Sequence, residues 1–202
     1  MRLLFDLKSL PFELTLVLAW TLVSAIVDRR NAKSEGVSRV GAWEVLVVAV
    51  VAEAATLFGS RDEAFAIGLA IAGVGVAACG DLRHRFMWQQ IAAPTLIAVL
   101  AARYLTGTLS AGLIGAALMA ALALLAYAAG QRWGKGAGMG FGDVAPIATV
   151  GAAFGFLTAP LAMCLACAAF VIVALVRRTS LDAALPFGPV IAGALVIGTL
   201  LR

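Results

Sequence analysis

Apolar residues fill this chain in long runs separated by brief polar breaks, at residues 11–27, 42–58, 64–80, 90–105, 109–129, 144–158, 160–176 and 187–201. A chain patterned this way has too few polar side chains to clothe a soluble surface. Of its 202 residues 63% are hydrophobic and 13% charged, and the mean hydropathy is +1.03, whereas soluble domains carry about 25% charged residues. At roughly 20 apolar residues per helical crossing, the runs predict an all-α, polytopic membrane bundle of about eight transmembrane helices. Residues 1–63 read as an N-terminal two-helix segment with a short cytoplasmic loop, and residues 64–202 as a six-helix membrane core. A soluble globular enzyme, a disordered chain and a nucleic-acid binder working through a large basic surface are excluded.

The net charge of +4, from 15 basic and 11 acidic residues, reports topology. Lys and Arg collect in cytoplasmic loops, and one side of the expected bundle holds Arg29, Arg30, Lys33, Arg39, Arg83, Arg85, Arg132, Lys135, Arg177 and Arg178. The other holds Arg2, Lys8, Arg61, Arg103 and Arg202. This bias puts the richer side in the cytoplasm and both termini outside. Asp6 and Glu13 interrupt the first run and no small-residue cleavage site follows Val27, so the first helix is expected to stay attached. Cys79, Cys164 and Cys167 all lie in apolar stretches, which argues against a disulfide framework. His84 is the only histidine, which excludes a multi-histidine metal site.

On the expected cytoplasmic side, the third run ends in Cys79-Gly80-Asp81-Leu82-Arg83-His84-Arg85 and the sixth begins just after Asp143. The chain crosses twice more between them, so Asp81 and Asp143 are expected at one membrane face, each at a helix end. Alone, either reads more readily as an interfacial cap. Together they suit a carboxylate pair: two acids a few ångströms apart do not both ionise cheaply. The ionised member then takes a proton from water while the neutral one donates to a peptide carbonyl.

Gly136, Gly138, Gly140 and Gly142 alternate just before Asp143. This pattern opposes helix formation and strips one side of an extended segment of its side chains. Room is left for a second backbone beside Asp143, as peptide docking requires. A phosphate-cradling loop is a poor match, since no strand precedes it and no Lys-Ser/Thr pair follows.

Gly140-Phe141-Gly142-Asp143 resembles the GxGD signature of intramembrane aspartyl proteases. Together with Asp81-Leu82-Arg83-His84-Arg85 and Pro186-Phe187-Gly188-Pro189, it is similar to the type IV prepilin peptidases in particular, over residues 64–200. The resemblance implies an aspartic endopeptidase of the inner (cytoplasmic) membrane that cleaves basic leader peptides from prepilin-like precursors at the cytoplasmic face. Its partners would be those precursors and membrane lipid, not nucleic acid. It implies Asp81 and Asp143 as the catalytic pair and Gly138, Gly140 and Gly142 as the site-shaping loop. Arg83, His84, Arg85 and Pro186 to Pro189 would stand behind them, with no metal or organic cofactor. A fainter echo is the basic-then-acidic helix entry from Arg39 to Glu44.

The chain departs from the family pattern in three places. Met87-Trp88-Gln89 stands where many members carry Ile-Pro-Asn, and Ala145-Pro146 follows Val144 where Lys is common. The two cysteine pairs of the N-methylating members are missing, so methylation is not expected. The first two departures also motivate a second expectation, a catalytically inactive homologue serving as a membrane scaffold, assembly component or small transporter. Glu53, well inside the second run, is expected to be a structural, interior-facing or near-interface group.

Overall fold

A computed structural model describes residues 2–58, 63–84, 87–133, 139–176 and 186–201, and every regular element in them is helical. The helices are α1 (Arg2–Glu35), α2 (Ala42–Phe58), α3 (Ala64–His84), α4 (Gln89–Leu105), α5 (Leu109–Trp133), α6 (Val144–Val176) and α7 (Gly188–Leu200), with a single 3-10 turn at Phe141–Asp143 before α6.

The bundle is organised around α3, whose Ala66, Ala70, Ala72, Val74, Val76 and Ala77 are fully buried. Small residues allow this, because helices in lipid associate by close packing of slender faces. A Cβ added at Gly68 would lie 2.0 Å from the Thr56 hydroxyl of α2, and one at Gly73 would lie 2.0 Å from the Thr95 hydroxyl of α4. The Thr95 hydroxyl also accepts a hydrogen bond from the Trp20 indole of α1 at 3.2 Å. Three neighbours thus dock on one helix.

Four described segments are long and apolar enough to cross a membrane: Pro11–Glu35, Ala64–Arg83, Leu109–Arg132 and Phe141–Val173. The expectation of about eight spans is therefore corrected. It treated every apolar run as a crossing, yet α2 and α4 have 17 residues each and α7 has 13, short of the roughly 20 a crossing needs. The runs at 144–158 and 160–176 correspond to two helical arms of α6 that meet at Gly155 (φ 75°, ψ −172°).

That break redirects the chain. Gly198 of α7 lies against the Phe154 ring, while Gly193, more than a turn earlier in α7, faces Ala166. The second arm of α6 therefore turns back along α7. Arg103, fully buried at the end of α4, satisfies the carbonyls that the break exposes. Its Nε donates to Ala152 O at 3.0 Å and its Nη2 to Ala153 O, while Nη1 pairs with Glu63 at 2.6 Å.

The first helix also outruns its apolar stretch of 11–27 by continuing through Asp28 to Glu35. Hydrophobicity marks the part that suits lipid, whereas the helix ends only where Gly36 takes a positive φ of 67°, the left-handed conformation typical of a helix stop.

Candidate active site

Seven helix ends converge at one end of the bundle. They are the C-terminal parts of α1, α3 and α5 and the N-termini of α2, α4, α6 and α7, joined by the contacts below.

Asp81 occupies the last turns of α3 and is 4% exposed. The backbone N–H of Gly188, the first residue of α7, donates to its Oδ2 at 2.7 Å. Only glycine allows this approach, since a Cβ at position 188 would stand 2.9 Å from both Ala78 Cα and Asp81 Cβ. Pro189 sits in the first turn of α7, where its missing N–H costs nothing and its fixed φ suits the helix. The positive end of α7 is thereby aimed at Asp81.

Asp143 closes the 3-10 turn that leads into α6. Its backbone N–H donates to Gly140 O at 3.1 Å, and Gly140 N–H donates back to its Oδ2 at 3.0 Å. Both halves of the turn are locked by these reciprocal bonds. Tyr127 of α5 meets Phe141 edge to face, with ring centroids 5.9 Å apart. Gly142, just before Asp143, is bonded to Gln89 at the start of α4, and α4 follows the Asp81 end of α3, so both acids lie at this end of the bundle although they are far apart in sequence.

The glycines of the turn are not demanded by the chain's own packing. A Cβ at Gly140 would meet its nearest atom, Asp143 Oδ2, at 3.7 Å, and one at Gly142 would meet Gln89 Nε2 at 3.4 Å. These are ordinary van der Waals contacts, and neither glycine has a positive φ.

Of the residues expected at the site, the structure pairs Asp81 with Gly188, flanked by Pro186, Phe187 and Pro189, and holds Asp143 in one turn with Gly140 and Gly142 at the same end of the bundle. The Arg83 guanidinium engages Glu44 of α2, donating through Nη2 to Glu44 Oε2 at 2.8 Å, and Glu44 Oε2 also accepts from Gly41 N–H at 2.6 Å. Gly138, Arg85 and the His84 side chain lie outside the described residues.

Three further residues enter the cluster, Asp28 from a segment without a motif and Trp88 and Gln89 from the triplet that departs from the family pattern. Asp28 of α1, 0% exposed, accepts from the Trp88 indole Nε1 at 3.0 Å and from Val40 N–H at 2.9 Å. Gln89, next to Trp88, donates through Nε2 to Gly142 O at 2.6 Å. The triplet that departs from the family pattern is thus engaged on both sides. The one advance signal was a carboxylate at the lip of the first apolar run. Glu53 of α2 is half-buried, with Oε1 out of contact with solvent, and contributes nothing to this cluster. Among the described residues no three His, Cys, Asp or Glu side chains gather as a metal site requires.

Comparison with curated proteins and with solved structures returns no match. The model of the type IV leader peptidase family matches residues 68–175. That stretch takes in both Asp81 and Asp143, and it covers more than half of the 202 residues. The chain therefore belongs to the type IV leader peptidase family.

Proposed function

We propose that this protein is a membrane aspartic endopeptidase that removes the basic leader peptide of prepilin-like precursors at the cytoplasmic face of the inner membrane, with Asp81 and Asp143 as the catalytic pair. The observation that supports the reading is that the family-matched stretch contains two aspartates at helix ends on one end of the bundle, Asp81 held by the Gly188 N–H and Asp143 in the turn bonded to Gln89.

The hydrolysis follows from their surroundings. The Gly188 N–H and the α7 N-terminus favour negative charge on Asp81, so Asp81 is the base and Asp143 holds the proton the pair shares. Asp81 takes a proton from water as the hydroxyl attacks the scissile carbonyl carbon, and Asp143 gives its proton to the carbonyl oxygen. The tetrahedral adduct then collapses, the C–N bond breaks, and the leaving nitrogen is protonated by the pair. Gly142 lies in a 3-10 turn and not in the extended segment expected, but with no side chain at Gly140 or Gly142 the turn leaves space beside Asp143 for the substrate backbone. The positive-inside bias supports the cytoplasmic placement.

The test is cleavage of a purified prepilin-type precursor by the full chain in detergent. Wild type should release the leader, and Asp81→Asn and Asp143→Asn should each abolish release while still inserting into membrane. Cleavage retained in either variant would exclude the pair. An inert wild type that copurifies with pilus components would favour the scaffold alternative.

A further inference from the structure

The turn that carries Asp143 is tied to α4 by a residue outside the GxGD turn. Gln89 Nε2 donates to Gly142 O at 2.6 Å, on the peptide that leads into Asp143. Gln89 is itself exposed, so a long flexible amide would hold this bond weakly unless its backbone were fixed. Trp88 fixes it. The Trp88 side chain is buried and its indole N–H ends on Asp28 Oδ1. The other oxygen of that carboxylate holds Val40 N–H, in the connector between α1 and α2. One buried carboxylate therefore joins the end of α1, the α1–α2 connector and the entry to α4. Asp28 and Val40 lie outside the family-matched stretch of residues 68–175.

We infer that Asp28, Trp88 and Gln89 are positioning residues that set the place of Asp143 through the Gly142 carbonyl, so that the N-terminal helix is part of the catalytic apparatus. The inference rests on the peptidase reading above for its effect on catalysis, while its geometric content stands independently of that reading. A carboxylate that must lie within hydrogen-bond reach of a carbonyl oxygen is sensitive to shifts of about 1 Å, which cost up to about a hundredfold in rate. Substrate docking along the glycine edge is less sensitive.

The experiment reads both contents on the full chain in detergent. In a background with Cys79, Cys164 and Cys167 replaced by alanine, Asp143→Cys is labelled with a water-soluble maleimide, alone and combined with Gln89→Ala or Trp88→Phe. Trp88→Phe keeps the buried ring and removes only the donor, so the variant remains folded if Asp28→Ala does not. The expected result is faster labelling at position 143, severalfold in both combinations, with the melting temperature unchanged in Gln89→Ala and only moderately lowered in Trp88→Phe, where the buried Asp28 carboxylate loses one donor. In the chain that keeps Asp143, the same substitutions should lower kcat about tenfold or more with little change in KM. Gln89→Glu, which has no donor for the Gly142 carbonyl, should behave as Gln89→Ala does. Unchanged labelling in both combinations overturns the inference, whatever happens to cleavage. Faster labelling of the Asp143→Cys combinations, where the chain that keeps Asp143 cleaves no precursor, upholds the positional tie and removes the peptidase reading alone.

Discussion

Gly188 and Asp81 are in backbone-to-side-chain contact so close that position 188 has no space for a methyl group: the Gly188 amide reaches Asp81 Oδ2 at 2.7 Å, and a Cβ there would lie 2.9 Å from Asp81 Cβ. Gly188→Ala must push α7 away from α3 or turn the carboxylate aside. Overpacking of this kind costs about 1–3 kcal/mol, and here the displaced group is the proposed base. Leader cleavage should be nearly abolished and the melting temperature lowered, which a thermal scan beside the precursor assay will measure. A fully active Gly188→Ala enzyme would show that the Gly188 amide does not organise Asp81.

The opposite outcome is expected for stability at Gly140. An alanine Cβ there meets nothing closer than 3.7 Å, so the folded state of Gly140→Ala should melt at the wild-type temperature. The new methyl group would instead project along the edge assigned to the substrate backbone. Crowding a docked chain by one methyl costs about 1–3 kcal/mol, a fall in kcat/KM of about tenfold or more. Steady-state kinetics on a precursor peptide separate the two variants: Gly188→Ala loses stability and activity together, Gly140→Ala activity alone. Wild-type kinetics in Gly140→Ala would mean that the substrate does not pass this edge.

Much of this arrangement is legible before any coordinates. Apolar run length and polar breaks give the helical membrane class, and α2 spans Ala42–Phe58 as its run does. The two intervening runs predict that Asp81 and Asp143 occupy one end, because parity in a bundle fixes which end a residue occupies, and both lie at the end where α4 and α7 begin. Run counting misleads at α2, α4 and α7, whose 17, 17 and 13 residues are apolar but short of a full crossing, whereas the split near Gly155 does mark two arms. Long-range polar partners stay hidden for a different reason. Asp28 and Trp88 are 60 residues apart and neither belongs to a motif, so only the packing of α1 beside the start of α4 makes them neighbours. Arg103 carried a sharper hint: a cation inside an apolar run is costly in lipid and calls for a partner, yet the sequence does not name Glu63.

Arg103 gives the third prediction. Its guanidinium, buried at the end away from the aspartates, holds Glu63, Thr108 and the Ala152 and Ala153 carbonyls at once. Arg103→Met keeps the side-chain volume and removes every donor, which strands a carboxylate and two carbonyls that the Gly155 break exposes. Removing one member of a buried ion pair costs about 3–5 kcal/mol, enough to exhaust much of a small domain's stability. The variant should accumulate poorly or melt far below wild type. Glu63→Gln keeps an acceptor for Nη1 and should lose much less. Equal melting temperatures for Arg103→Met and wild type would mean that the α6 break is satisfied without this side chain.

The Glu44–Arg83 pair tests charge rather than packing. Its side chains are 28% and 36% exposed, so breaking it should shift stability by no more than about 1 kcal/mol. Its position, two residues beyond Asp81, gives it an effect on a basic leader. Glu44→Gln leaves the Arg83 charge uncompensated beside the site, and a unit charge at about 10 Å in water acts with about 0.4 kcal/mol, more where water is partly excluded. KM for a basic precursor peptide should rise about two- to fivefold at low ionic strength, and the rise should fade as salt shortens the screening length to about 8 Å. Arg83→Gln should lower KM, since it exposes the Glu44 carboxylate instead, and the double variant should return close to wild type. The sign is decisive: if Glu44→Gln tightens binding of the basic peptide, Arg83 is not acting on the leader through its charge.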